Sequence, residues 1–187
     1  MKRLFIAVKV EPGYELIILH TKFSSAFQVG SVKWVELHNM HITLKFLGET
    51  SEEKIPSIIN ELKAISCYFK TFETGLIKTG IFGSSYSPKV IWLGLDETEM
   101  MTNLALIVID KMNVIGFVAD SQNFVPHLTL GRVKLINDKK LFQNVIAQYK
   151  NKYIQKLYVD KFYLIESVLH KDGPTYNVLE TFELKKR

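Results

Sequence analysis

Two tetrapeptides carry the chemistry this chain has to offer. His41-Ile42-Thr43-Leu44 and His127-Leu128-Thr129-Leu130 share the form histidine, aliphatic, threonine, leucine, and lie 86 residues apart. In an extended strand, residues i and i+2 point to the same face. Each tetrapeptide therefore presents an imidazole and a hydroxyl to one side and two aliphatic side chains to the other. Histidine exchanges its proton near neutrality, so two imidazoles brought together can serve as one general base and one general acid. Hydroxyls beside them can donate hydrogen bonds to the oxygens of a phosphoryl group. The repetition points to two halves related by an internal pseudo-twofold axis.

Plainer readings compete with this one. A lone strand histidine is ordinarily a core or surface residue, and threonine suits strands on steric grounds alone. The doubling of the whole pattern outweighs both. Two histidines with no carboxylate at ligand spacing fall short of the three or four ligands a zinc site needs. His38 lies three residues before His41, and in extended chain the two would face opposite ways. No G-x-S-x-G elbow and no Walker-type glycine loop is present, so serine hydrolase and P-loop schemes lack their central parts. The single cysteine, Cys67, excludes an internal disulfide and a cysteine-built metal site, and its apolar helix end predicts a core position. His20 on a predicted helix and His170 beside a turn are expected on the surface. Arg132 and Phe46 each follow their histidine by five residues. An ideal strand turns both away from the histidine face. They remain candidate substrate contacts, Arg132 reaching phosphate around the strand end and Phe46 stacking a base, although core packing is the expected role for Phe46.

Strands and helices must hold these residues. Strands are expected over 4–10, 32–35, 40–47, 69–82, 89–95 and 128–133, where apolar residues alternate or run continuously. Helical spacing marks 14–27, 52–65, 98–115 and 138–149, with Ser51 and Asn137 as candidate N-caps, Pro56 weakening the second helix's start and Gly116 stopping the third. One long strand over 158–169 and another over 177–184 flank a turn at 171–174, and the end at 185–187 reads as solvated. Strands dominate both ends and helices intervene irregularly, so the class is α+β, without a strict βαβ repeat.

The whole chain bounds these expectations. Its 187 residues suit one domain, 47% of them hydrophobic and 23% charged, which excludes a disordered or fibrous protein. No apolar run approaches the roughly 20 residues of a membrane span. The opening residues mimic a signal peptide, but Lys9 and Glu11 interrupt the apolar stretch, and a soluble cytoplasmic protein is expected. A net charge of +5 favours anionic partners such as phosphate esters.

The paired His-x-Thr-x motifs resemble those of the two-histidine (2H) phosphoesterase superfamily, and their surroundings resemble its RNA 2′,3′-cyclic phosphodiesterase and 2′-5′ RNA ligase branch. The likeness runs through 3–7, 32–35, 39–49, 88–95, 124–132 and the closing 166–176 region. Gly131 stands where alanine is expected, and Lys33 where arginine is commoner. The resemblance implies one bilobal domain over 1–187, with two antiparallel sheets flanked by helices around a central cleft. It implies metal-independent, cofactor-free opening of a terminal 2′,3′-cyclic phosphate on RNA to a 2′-phosphomonoester, reversible as ligation. His127 would be the base and His41 the acid, with Thr43 and Thr129 holding phosphoryl oxygens. The implied partners are RNA ends or nucleotides bearing that phosphate, with no membrane and no obligate protein. The alternatives are a related enzyme acting on another cyclic or 2′-5′-linked nucleotide, and a binding protein without catalysis.

Overall fold

The computed structural model describes residues 1–27, 30–118, 124–171 and 173–186. Nine strands are β1 (Lys2–Lys9), β2 (Val32–Trp34), β3 (His41–Thr50), β4 (Phe72–Gly83), β5 (Pro88–Leu95), β6 (Leu128–Val133), β7 (Tyr153–Val159), β8 (Lys161–Leu169) and β9 (Pro174–Glu183). The helices are α1 (Tyr14–Ala26), α2 (Ile55–Tyr68), α3 (Glu99–Val114) and α4 (Lys139–Ala147). All strand pairs are antiparallel, in the order β7-β4-β5-β6-β3-β1-β8-β9, with β2 paired to β6.

The two expected half-sheets are joined at their centre. The junction between β6 and β3 is a single register pair, Ile42 opposite Leu128. The lobe bearing His41 comprises β3, β1, β8 and β9 and is backed by α2 and α3. The lobe bearing His127 comprises β6, β5, β4 and β7 with β2, and is backed by α1 and α4. Three helices each bury one stripe at three- and four-residue spacing: Leu16, Leu19 and Phe23 on α1, Ile58, Leu62 and Ile65 on α2, Leu104, Val108 and Met112 on α3, while α4 buries Phe142. These stripes meet Ile6, Val8, Ile42, Leu44, Leu128 and Leu130 in one continuous core. The other sheet face carries a separate small cluster, Phe5, Ala7 and Ile165 against Tyr163 and Tyr176.

Helix ends follow local chemistry. Gly116 adopts φ +92°, its N–H donates to the Asn113 carbonyl and the next N–H, of Phe117, donates to Met112, which closes α3 in a Schellman turn. The cap of α4 is Asp138, one residue after the expected Asn137, its carboxylate accepting from the Leu141 N–H at 2.9 Å. Ser51 precedes a 3-10 turn over Glu52–Lys54, and α2 begins beyond it with Pro56 in its first turn, where a missing N–H costs nothing.

The expected single strand over 158–169 is two strands. It breaks at Asp160, between β7 on β4 and β8 on β1, so the chain crosses there from one lobe to the other. Val159 and Phe162 are both buried, which a continuous two-residue alternation does not allow. Of the expected turn at 171–174 and end at 185–187, Asp172 and Arg187 lie outside the described residues.

Tight packing within β4 and β5 depends on glycine. Gly80 lies opposite Trp92, and a Cβ on it would stand 2.2 Å from the indole ring. Gly80→Ala must move that ring, and is expected to cost about 1–3 kcal/mol. Urea denaturation should show a lower midpoint at unchanged m-value.

Candidate active site

Antiparallel pairing at Ile42 and Leu128 puts a local twofold axis between the motifs. One further residue along that register sets His41 opposite Thr129 and Thr43 opposite His127. Ile42 and Leu128 are fully buried in the core, while the histidines and threonines are half-buried on the opposite face. Neither threonine side chain hydrogen-bonds to a described residue.

The two imidazoles are held identically. Nδ1 of His41 lies 2.7 Å from the Asn39 carbonyl, and Nδ1 of His127 lies 2.8 Å from the Val125 carbonyl, each two residues upstream. A carbonyl only accepts, so Nδ1 carries the hydrogen in both rings. Nε2 is then the exchangeable position, a lone pair in the neutral ring and an acid in the charged one. Aromatic rings wall both. Phe5 and Tyr176 stand 5.0 and 5.3 Å from His41, centroid to centroid, and Phe82 and Trp92 stand 4.8 and 6.3 Å from His127.

Beyond each threonine the strand departs from ideal alternation. On β3, Thr43 pairs with Ala7 and Phe46 with Phe5, so Leu44 is an extra residue with no partner in register. On β6, Thr129 pairs with Trp92 and Arg132 with Val90, so Leu130 is extra in the same way. Residues 5 and 7 share a face, as do 90 and 92, and their partners therefore share it too. These matching bulges return Phe46 and Arg132 to the histidine face, correcting the expectation from an ideal strand. Phe46 is 56% exposed, not core, and its ring lies 5.9 Å from Phe5. Gly131 follows from the same bulge, because a Cβ there would stand 2.7 Å from Val32 and 2.9 Å from Trp34.

Both histidines are less basic than a free imidazole. Burial is the largest cause at His41, opposed by the Asn39 carbonyl and reinforced by the charges of His127, Arg132 and Lys9. At His127 burial again leads, the Val125 carbonyl opposes, and Arg132 lowers further. Arg132 acts on both rings and also on Tyr176, whose hydroxyl burial pushes up. The arginine thus lies within electrostatic reach of the whole site.

The remaining candidates fall elsewhere. His20 is half-buried, its Nε2 donating to the Val35 carbonyl at 2.9 Å and its ring edge-on to Trp34, so it ties α1 to the segment after β2 and is not a surface residue. Cys67 is exposed, not core, because it sits on the outward side of α2. His38 belongs to a 3-10 turn over Leu37–Asn39, not extended chain, and pairs with Glu36 at 3.2 Å. His170 is exposed. Sequence reasoning missed Phe5, Phe82, Trp92, Tyr176 and Lys9, which reach the site from other strands.

Two equivalent imidazoles thus lie on bulged, facing strands, each with a threonine beside it. Residues 8–92 match the family profile of LigT-like phosphoesterases. An RNA 2′,3′-cyclic phosphodiesterase of Archaeoglobus fulgidus is 37% identical over 97% of this chain and 99% of its own. One of Methanocaldococcus jannaschii is 33% identical over 95% and 98%. A crystal structure of a Thermus thermophilus protein superposes with a TM-score of 0.79 at 26% identity, covering 98% of both chains. Escherichia coli LigT, solved with 3′-AMP, shares the fold at the same TM-score, 22% identity and the same coverage. The chain belongs to the LigT-like phosphoesterase family.

The lowered basicity has a thermodynamic consequence. Between the native values and the ordinary histidine value near 6.5, the unfolded chain binds more protons than the native one. Stability therefore falls as pH drops through that window. The double variant His41→Gln, His127→Gln is expected to lose less stability over the same interval, measured by urea midpoints across a pH series.

Proposed function

We propose that this protein is an RNA 2′,3′-cyclic phosphodiesterase, an enzyme that opens the terminal cyclic phosphate of RNA to a 2′-phosphomonoester. The names of the full-length relatives support the substrate. The observation that carries the reading is the identical Nδ1–H anchoring of His41 and His127, which leaves two Nε2 atoms for proton transfer on one sheet face. One imidazole accepts a proton from water as its oxygen attacks phosphorus. The P–O3′ bond breaks, and the other imidazole, protonated, delivers its Nε2 proton to the departing O3′. The family resemblance gives the base to His127 and the acid to His41. Thr43 and Thr129 donate to the non-bridging oxygens, Arg132 offsets their charge, and Phe46 offers its exposed ring to a base. A 5′-hydroxyl in place of water attacks the same phosphorus, and departure of O3′ then leaves a 2′-5′ linkage; attack of that O3′ on the linkage is the reverse. The whole chain acts as one bilobal domain, in the cytoplasm, with no helix among the described residues long and apolar enough to cross a membrane.

An oligonucleotide ending in a 2′,3′-cyclic phosphate, incubated with excess EDTA, should yield a 2′-phosphate end. Loss of activity restored by a defined divalent ion would require a metal mechanism instead. His41→Ala and His127→Ala should each lower kcat by roughly 10² to 10⁴-fold with the fold intact by circular dichroism.

The pH profile separates this pair from ordinary histidines. kcat/KM reports the free enzyme, where one ring must be charged and the other neutral. Because burial and nearby cations lower both rings, the bell should centre below the ordinary value near 6.5. A bound phosphate anion favours the charged rings, so the optimum of kcat should lie at higher pH. The limbs belong to the coupled pair. Coincident optima at or above pH 7 would contradict the arrangement.

A further inference from the structure

Lys9 ends β1 directly opposite His41, and the two-residue alternation of β1 puts it on the face of Ala7 and Phe5, which the histidines share. Its charge is felt at His41. Among the described residues it makes no ion pair. Its ammonium instead lies 5.5 Å from the centre of the Tyr163 ring. An aromatic face holds a cation in place without neutralising it, so the charge remains available to an anion.

Lys9 also stands between two cavities. One, of about 290 Å³, is lined by His41, Asn39, Ile165 and Tyr176. The other, of about 520 Å³, lies between the end of β1, the 3-10 turn and the β7–β8 crossing. Lys9, His38 and Met40 line both, so the two are contiguous. The larger cavity falls in the roughly 300–1,000 Å³ range of small-ligand sites, which accommodates a nucleotide. Its other lysines are engaged, Lys156 with Glu73 at 2.7 Å and Lys161 with Asp160 at 3.7 Å. Lys9 is thus its uncommitted cation. Tyr158, 56% exposed, offers a ring on the far side. Each cavity carries carboxylates, Glu11 and the Lys161-paired Asp160 in the larger one and Glu36 beside Arg132, but the cavity beside Arg132 is smaller, about 200 Å³, and lacks continuity through Lys9.

We infer that the RNA strand leading to the reacting end leaves the histidine face past Lys9 and enters the larger cavity. Lys9 holds the phosphodiester next to the reacting nucleotide, and Tyr158 stacks the base beyond it. This rests on the phosphodiesterase reading and adds a route to it. Single-stranded RNA is commonly gripped by this combination of cation and aromatic ring. A mononucleotide cyclic phosphate has no such phosphodiester and makes neither contact.

The test compares a mononucleotide 2′,3′-cyclic phosphate with a trinucleotide ending in the same group. The quantity read is the ratio of their kcat/KM values, trinucleotide over mononucleotide, which cancels any effect of Lys9 on His41 itself. The wild type should favour the trinucleotide. Lys9→Gln should lower the ratio by about threefold to tenfold and flatten the salt dependence of the trinucleotide KM by about 0.7 in log–log slope. Tyr158→Ala, distant from both histidines in sequence and strand, should lower the ratio at least about fivefold. A wild-type ratio near one, or ratios unchanged in both variants, would overturn the route. Failure of the wild type to hydrolyse either substrate would instead overturn the phosphodiesterase reading.

Discussion

The contact on which everything else depends is the pairing of Ile42 with Leu128. It is the one register pair that joins β3 to β6, and both side chains are fully buried. Because the pair is antiparallel, whatever one strand places at a given step from it, the other places across the axis. Shifting the register by one residue would turn both histidines into the core and both aliphatic residues out. Burial of the aliphatic positions therefore fixes which face the imidazoles take. The chemistry inherits its geometry from hydrophobic packing on the opposite side of the sheet.

The paired bulges extend the same logic. A regular strand would place residues 46 and 132 on the core face, where an exposed phenyl ring and a guanidinium have no partners. One extra leucine in each strand, both buried, restores them to the site while the core keeps its apolar lining. The residue after each bulge then points to the core side: Lys45, whose ammonium donates to the Val118 carbonyl at 2.8 Å, and Gly131, packed against Val32 and Trp34. Two bulges at equivalent positions make the groove symmetric beyond the tetrapeptides themselves.

How much of this could be read from residues alone follows from the range of each signal. The histidines and threonines were legible because their pattern is local, four residues long and repeated. The amphipathic helices were legible for the same reason. The bulge at Leu44 was not, since Leu44-Lys45 contains no residue type that announces an unpaired position, whereas Gly131 inside the second strand was a signal left unused. The break at Asp160 was hidden because β7 and β8 run on with the same composition, and only their partners differ. Phe5, Phe82, Trp92, Tyr176 and Lys9 belong to strands distant in sequence, brought to the histidines by pairing. Cys67 and His20 were misplaced through the phase of their helices, which decides burial at single positions. Gly131, anomalous against the family's pattern, is explained by its two neighbours on β2.

Symmetry of the inner site leaves one question to its surroundings, because the proposed reaction gives opposite roles to two rings with the same anchor. Their difference lies in the second ring of charges. Arg132 acts on both, but Lys9 acts on His41. A cation beside an imidazolium makes it a stronger acid, which suits the ring proposed to protonate O3′. The same cation lowers the fraction of His41 charged in the free enzyme, and the anionic phosphate must offset that on binding. In the proposed reaction the substrate thus helps to install the proton that its own cleavage consumes. One Nε2 gives its proton to O3′ there and the other Nε2 takes one from water, so the pair keeps its total charge but carries it on the opposite lobe. The members of the pair thus differ in their neighbours rather than in their own bonding.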